Sequence, residues 1–541
     1  MCRPIFSIIL LILTLPYVPQ TFSITDNPLS LASSGTGFSQ SIVLWVPDNY
    51  TSLQEAVNVA SKLSNASVTA VIVVRPGKYN EEVFVAGSYM RILASYIFFG
   101  EVSGRKPLVT RFMVDSLSNV VIEGFNVTTG IDIHSSHDVV VEDCEVHGGM
   151  FGISVFDSYR IKVSRCKVYS QGDRGVNLIR VSECIIENCI VHDRQRGIYL
   201  AWSHSNIIVN CTVYGAWIGV WLEFGTTGNL ITNCRVYDSE IGIHIKGRSS
   251  NNVVENCVVY DNKFSIVLWL NASNNIIRGC ELYGRKTDTA ISISDYSNNN
   301  VIEDCLIHDV KNDGISFFNC TGNRVVNTTI YNCPLFGVNI GVWEKHVVTQ
   351  GNVIENCTIY NCFRGINLWF DAKNNIIKGC KLYFNKHQGI NLEYGADNNI
   401  IEYCNIFLNR LGMRINESKG NVIKYNNISR NFEIGVVVEA SGNTFYCNNF
   451  IENNLSQALG VLPNTWDKGY FFGGNYWSDY KGSDSDGDGI GETLYVISKN
   501  NVDHYPLVKP WNQLSSNQDK TYPEVDKTRV RTKAVVFLLF L

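Results

Sequence analysis

A chain of 541 residues with 45 Lys+Arg against 50 Asp+Glu has a formal charge of only −5. That balance excludes the basic surplus of a nucleic-acid binder and the strong field that steers a highly charged partner. Hydrophobic residues make up 45% of the chain, ample for a large core.

In chain order, MCRPIFSIILLILTLPYVPQTFS places Arg3 ahead of an apolar run from Ile5 to Leu15 and ends in the small-x-small triplet Thr21-Phe22-Ser23. This is the pattern of a secretory signal over residues 1–23, with a mature chain from about Ile24 and a secreted or cell-surface destination. Cys2 precedes the apolar run, so a lipoprotein anchor is not indicated. Residues 51–64, TSLQEAVNVASKLS, put Leu53, Ala56, Val57 and Ala60 on one helical face. The following VTAVIVVRPGKYNEEVFV reads as strand, turn at Pro76-Gly77, and strand.

From there one pattern dominates. A Cys marker recurs at Cys144, Cys166, Cys189, Cys211, Cys234, Cys257, Cys280 and Cys305, then Thr328, Cys357, Cys380 and Cys404, mostly 22 or 23 residues apart. Five residues before it stands an Asn (Asn206, Asn229, Asn252, Asn275, Asn300), and three after it a Tyr or His (Tyr214, Tyr237, Tyr260, His308). Each repeat also holds Gly-apolar-x-apolar, as in RGIYL (196–200) and IGVWL (218–222). Three short period-2 strands between Gly/Asn/Asp turns fill such a unit and leave no room for a helix, so the repeat predicts an all-β parallel β-helix. Stacked coils put equivalent residues about 4.8 Å apart, and every repeat position becomes a ladder. The Cys column then points inward as a small hydrophobe, while the Asn column sits at a bend where stacked amides bond from coil to coil. An open solenoid end exposes apolar interior, and the helix at 51–64 suits an N-terminal plug.

The order of apolar leader, VPDNYTSLQEAVNVA helix, VIVVRPGKYNEEV strands and NxIxxC coils resembles the NosD-like right-handed β-helix proteins, a class that overlaps carbohydrate-binding and sugar-hydrolysis repeats. NTWDKGYFFGGNYWSDYKGSDSDGDGIGETLYVISKNNVDHYPL (464–507) resembles the module that ends many secreted members. The resemblance spans about residues 42 to 508 and implies a right-handed solenoid over 24–456, a C-terminal module over 457–510 and a polar tail over 511–541. It leaves function open, because this scaffold carries lyases, hydrolases, adhesins and metal-handling proteins.

Chemistry is sought on outward positions. The Gly-apolar-x-apolar strand presents Asn177, Tyr199, Trp221, His244 and Val267 in one column, and Ala201, Glu223, Lys246 and Trp269 two residues on. Tyr199, Trp221, Glu223, His244 and Trp269 are the candidate carbohydrate contacts, since an indole or phenol offers a flat apolar face with a polar edge to a sugar ring. The alternative is an aromatic ladder that only covers the sheet. A polysaccharide lyase or hydrolase would draw on Arg174, Arg196, Asp173, Asp193, His244 and Lys246, yet the chain has no Asp-Asp pair. A copper-associated protein, which the resemblance also suggests, would need clustered soft ligands; the candidates are His134, His137, His147 and Met150, with no His-x-His or Met-rich run.

Asp484, Asp486, Asp488 and Glu492, at positions 1, 3, 5 and 9 of a loop with Gly489 at 6, match the start of a Ca²⁺ loop, although position 12 is Tyr495. A structural Ca²⁺ is the one expected cofactor. The terminal AVVFLLFL (534–541) is far shorter than the roughly 20 residues of a membrane span. The expected partner is a polysaccharide or surface glycan, not nucleic acid, bound by a monomer. Of the 17 cysteines, ladder neighbours have parallel Cβ vectors and should remain thiols; Cys333 and Cys362, at equivalent turns of consecutive coils, are the expected disulfide.

Overall fold

The computed structural model describes residues 40–99, 104–169, 172–192, 195–341 and 349–511. The expected signal and tail lie outside the described residues, as do Asp193 and most of the insertion after Ile340.

Three parallel strands per coil stack into a right-handed β-helix of about 17 turns, with coils of about 23 residues. One coil illustrates the unit: a long strand Arg196–Ala201, then short strands Ile207–Val209 and Thr212–Tyr214. The register is one-to-one between coils, with Tyr199 on Trp221, Ile207 on Leu230 and Thr212 on Arg235. Alternation within each strand sends Ile198, Leu200, Ile208 and Val213 into a continuous core where they are fully buried. At about 25 cal/mol per Å² of apolar area, that core is the main stabilising term.

Each repeated residue type has a physical role. The Gly that opens each long strand stands where two walls of the coil converge: a Cβ on Gly197 would lie 2.5 Å from Val213 Cγ1 and 2.5 Å from the carbonyl of Gly219. Marker thiols face inward and donate to carbonyls, Cys234 Sγ lying 3.3 Å from Thr232 O. The Asn column forms the expected ladder. Asn206 gives both its backbone N–H (3.0 Å) and Nδ2 (2.9 Å) to Asn229 Oδ1, and the pattern repeats through Asn252, Asn275, Asn300 and Asn323. From Cys404 onward the marker column itself turns to Asn, with Cys404 N donating to Asn426 Oδ1 at 2.9 Å. On the outside, Tyr and His rings stack from coil to coil, Tyr214 on Tyr237 at 5.0 Å and 4°.

The helix α1 (Leu53–Leu63) buries Leu53, Ala56, Val57 and Ala60, and these side chains join the core. Its N-terminus is held by Glu81, which accepts from Ser52 Oγ (2.8 Å), Leu53 N (3.1 Å) and Gln54 N (2.9 Å), an anion at the positive end of the helix. The two strands after α1 do not pair with each other. Val68–Val74 enters the first short-strand ladder between Gln40–Val46 and Met90–Ala94, and Glu82–Val85 pairs with Leu108–Asp115.

Beyond the last coils, Trp466 and Trp477 are buried against Phe445 (4.3 Å) and Phe450 (4.4 Å). The antiparallel strands Tyr495–Ser498 and Asn501–Asp503 then terminate the amide ladders: Asn464 N donates to Asn501 Oδ1 (3.0 Å) and Asn475 N to Asp503 Oδ2 (2.7 Å).

The expected Cys333–Cys362 disulfide is absent: both are buried free thiols. Each donates instead to a carbonyl two residues back, at Tyr331 and Tyr360. A Cβ on Gly314 or Gly337 would come within 3.3 and 3.5 Å of Cys333 and Cys362 Sγ, so each thiol takes space that a glycine leaves, and Cys333 keeps Cys362 as a hydrogen-bonding neighbour without bonding to it.

Candidate functional site

The long-strand ladder sets the predicted carbohydrate residues side by side, with Tyr199, Trp221, His244 and Val267 in direct register and Lys246 beside Trp269. All face outward, yet Tyr199, Trp221, Glu223 and His244 are only 4, 6, 7 and 4% exposed. Cations from neighbouring coils cover them. Arg174 lies 4.2 Å over the Tyr199 ring, Arg196 4.8 Å over Trp221, and Lys246 4.8 and 5.5 Å from Trp221 and Trp269. A guanidinium over an aromatic face gains about 0.5–2 kcal/mol when partly desolvated, and so prefers the ring to water.

Those cations are held by carboxylates and an amide. Arg196 Nη1 meets Asp173 at 2.5 Å, Arg174 Nη1 donates to Asn177 Oδ1 at 3.0 Å, and Lys246 Nζ meets Glu223 at 3.0 Å. Glu223 also accepts from Tyr199 OH at 3.3 Å, and burial next to this carboxylate pushes the phenol up to about 12. His244 is stacked between Trp221 (5.9 Å) and Trp269 (6.2 Å), and burial, with Lys246 alongside, drives it down to about 3, so the ring is neutral. Both its nitrogens and Trp221 Nε1 are buried without a hydrogen-bond partner.

These residues wall an open concavity of about 260 Å³ bounded by Trp217, Trp221, His244, Lys246, Phe264 and Trp269. Trp269 (36% exposed, its Nε1 donating to Asp295) and Trp217 (46%, edge-on to Trp221 at 6.0 Å) are the accessible rings. Trp217 belongs to the site although it falls outside the strand period; its place in the aromatic segment YGAWIGVWLEF is the only sequence signal for it. Of the residues weighed for catalysis, His244 and Lys246 line this concavity and Arg196 lies over Trp221, while Asp173 and Arg174 sit further along the stack.

In the Asp-rich loop, one oxygen each of Asp484, Asp486 and Asp488 lies within 4.8 Å of the others. Glu492 is not part of that group; it accepts from Ser483 Oγ (2.8 Å) and Ser485 N (2.7 Å). Asp484 accepts Gly487 N and Gly489 N, which shapes the turn that gathers the three carboxylates.

The candidate copper ligands are dispersed. His137 Nδ1 contacts Asp138, His147 Nε2 contacts Asn126, and His134 stacks on Phe156. Among the described residues, the Asp trio is the only convergence of three His, Cys, Asp or Glu ligand atoms, and its hard oxygens do not suit copper. Among the same residues no helix is long and apolar enough to cross a membrane.

The sequence profile of the family described as "Periplasmic copper-binding protein (NosD)" matches residues 110–264 and 273–482. No curated protein matches the chain. Similar solved structures include the catalytic domain of a GH87 alpha-1,3-glucanase in complex with nigerose (12% identity, 62% of this chain and 67% of that one, TM-score 0.40). They also include the periplasmic alginate epimerase AlgG (15%, 62% and 81%, 0.37) and an alginate lyase from Paenibacillus sp. str. FPU-7 (14%, 53% and 95%, 0.32).

Proposed function

Since the chain belongs to the NosD family, whose described copper role the ligand atoms of its described residues do not fit, we propose that it is a glycan-binding β-helix acting outside the cytoplasm through the Trp217–Trp221–His244–Trp269 groove. The observation that carries this reading is the orphaned polar edge inside an aromatic wall: His244 Nδ1 and Nε2 and Trp221 Nε1 are buried, unpartnered, and adjoin a concavity flanked by accessible indoles. A sugar ring supplies both an apolar face for Trp217 and Trp269 and hydroxyls that donate to and accept from those nitrogens. Binding is favoured over cleavage because Asp173 and Glu223 are both engaged by cations. The Asp484–Asp486–Asp488 loop, in the same reading, holds a structural Ca²⁺.

The test is a glycan array on the purified chain, followed by calorimetry on the best ligand with Trp221→Ala/Trp269→Ala. Each ring contributes about 0.5–1.5 kcal/mol beyond area burial, so the double variant should lose about tenfold or more in affinity. Unchanged affinity with an intact circular dichroism spectrum would refute the groove; reducing ends released from the ligand would move the reading to an enzyme.

A further inference from the structure

At the turn that ends each long strand, a second outward column runs beside the first groove, reading Arg180, Trp202, Phe224, Gly247, Leu270 and Asp295. The backbone there is left-handed, with φ 49° at Trp202 and 55° at Phe224, a conformation that Gly, Asn and Asp adopt most readily. Gly247 and Asp295 obey that preference. Trp202 and Phe224 do not, and core packing does not account for them, since they are 52 and 45% exposed. Their rings stack on each other at 4.6 Å and 9°.

Gly247 then leaves one rung of this column empty. With coils about 4.8 Å apart, the backbones of Phe224 and Leu270 lie about 9.6 Å from each other with no side chain between them. The result is an open concavity of about 510 Å³ bounded by Trp202, Phe224, Gly247, Arg248, Leu270 and Asn271. One flat ring, laid on the face of Phe224 turned away from Trp202, fills the missing rung. The charge of the gap is one-sided. Arg248 is exposed, and among the described residues it has no ion-pair or side-chain hydrogen-bond partner. Arg180, in the same column, is by contrast paired with Asp157 (2.7 Å). No acidic side chain lines the concavity, and Glu223, one residue before Phe224, is already held by Lys246 (3.0 Å).

We propose that this gap is a subsite for an acidic pyranose, a uronate unit whose ring stacks on Phe224 and whose carboxylate meets Arg248. A pyranose brings an apolar face to the phenyl ring and a rim of hydroxyls that the exposed Asn271 amide can both donate to and accept from. A planar carboxylate matches the guanidinium fork in a bidentate contact. Lys246 and Trp269 wall the first groove and are followed directly by Gly247 and Leu270, so the two concavities share an edge and one glycan chain can run through both. The inference rests on the glycan reading of that groove and adds the sign of the sugar's charge. The column's other aromatic pair, Phe370 on Tyr394 (5.0 Å), is an internal control: beside it Asp371 is paired with Lys373 (2.7 Å), which leaves no surplus cation there.

The experiment is calorimetry of hexagalacturonate, hexamannuronate and cellohexaose against the wild type, Arg248→Gln, Phe224→Asn, Tyr394→Asn and Trp221→Ala/Trp269→Ala, each with a thermal melt. Arg248→Gln and Phe224→Asn should each weaken a bound uronate hexamer by about tenfold, and Tyr394→Asn should leave it unchanged. Neither of the first two variants should melt earlier, because Arg248 has no partner to lose and Asn suits the left-handed turn. Phe224→Leu serves if the asparagine variant does not fold. Cellohexaose should bind more weakly than the uronates and be indifferent to Arg248→Gln. Uronate binding lost by the tryptophan variant but unaffected by Arg248→Gln and Phe224→Asn overturns this subsite and leaves the first groove. The converse supports this subsite and removes the first groove, and loss in all three supports both. No uronate hexamer bound by the wild type, or cellohexaose bound as tightly as the uronates, overturns it.

Discussion

His244 shows how much a single side chain on this face depends on its neighbours. An imidazole between two indoles is largely screened from bulk water, and burial with Lys246 nearby lowers it from 6.5 to about 3. Between those values the unfolded chain binds a proton that the folded chain refuses, so stability rises with pH across the window. The contribution is fully present above about pH 6.5 and is lost as pH falls toward 3. From pH 7.5 to 5, His244 should account for about 2 kcal/mol of lost unfolding free energy. His244→Asn should remove that slope, which urea midpoints at the two pH values would read; an equal loss in both proteins would contradict the assignment. The column carrying His244 was legible in the sequence because strand alternation is strict. Its burial was not. Arg174 and Arg196 open their strands, and nothing local indicates that their guanidiniums reach the rings of the next coil in preference to solvent.

At the scale of the repeated element, the Asn ladder is the feature most open to a quantitative test. Asn300 Oδ1 accepts both the backbone N–H and the Nδ2 of Asn275, and Asn300 Nδ2 donates to Ala272 O at 2.9 Å. Asn300→Ala strands these buried groups and should lower unfolding free energy by about 3 kcal/mol. Asn300→Asp keeps the acceptor but buries a charge, and should be no better. Chemical denaturation would measure both, and a loss below about 1 kcal/mol would show that water replaces the amide. Repeat, strand positions and inward Cys were all legible here, because each is a one-residue consequence of coil geometry. For Cys333 and Cys362 the register was legible too, and it makes the two thiols neighbours, but they remain unbonded.

For the whole molecule, the first and last described parts of the core are built differently. At one end a helix lays Leu53, Ala56, Val57 and Ala60 into the core; at the other, Asn501 and Asp503 accept the last rungs of two ladders. The first was readable as an amphipathic face. The second was not, since its acceptors come from a hairpin about 30 residues downstream of the groups they satisfy. The Asp-rich loop precedes that hairpin, so Ca²⁺ bound there should protect it. Calorimetry should find uptake at about 10⁻⁴–10⁻³ M, abolished by Asp486→Ala, with chelator raising amide exchange at Asn501–Asp503 before the central coils respond. Uptake unaltered by Asp486→Ala would place the ion elsewhere.

The one-to-one register between coils also fixes how the molecule would respond to mechanical load. The bonds that join coils run along the long axis, so tension applied between the ends falls on one rung at a time, as in a zipper, and is not shared across the stack. A solenoid of about 23-residue coils should therefore unravel as a train of small, nearly equal ruptures, each releasing about 80 Å of extended chain. The longer step between Thr328 and Cys357, 29 residues, should appear as one outsized increment within that otherwise regular series.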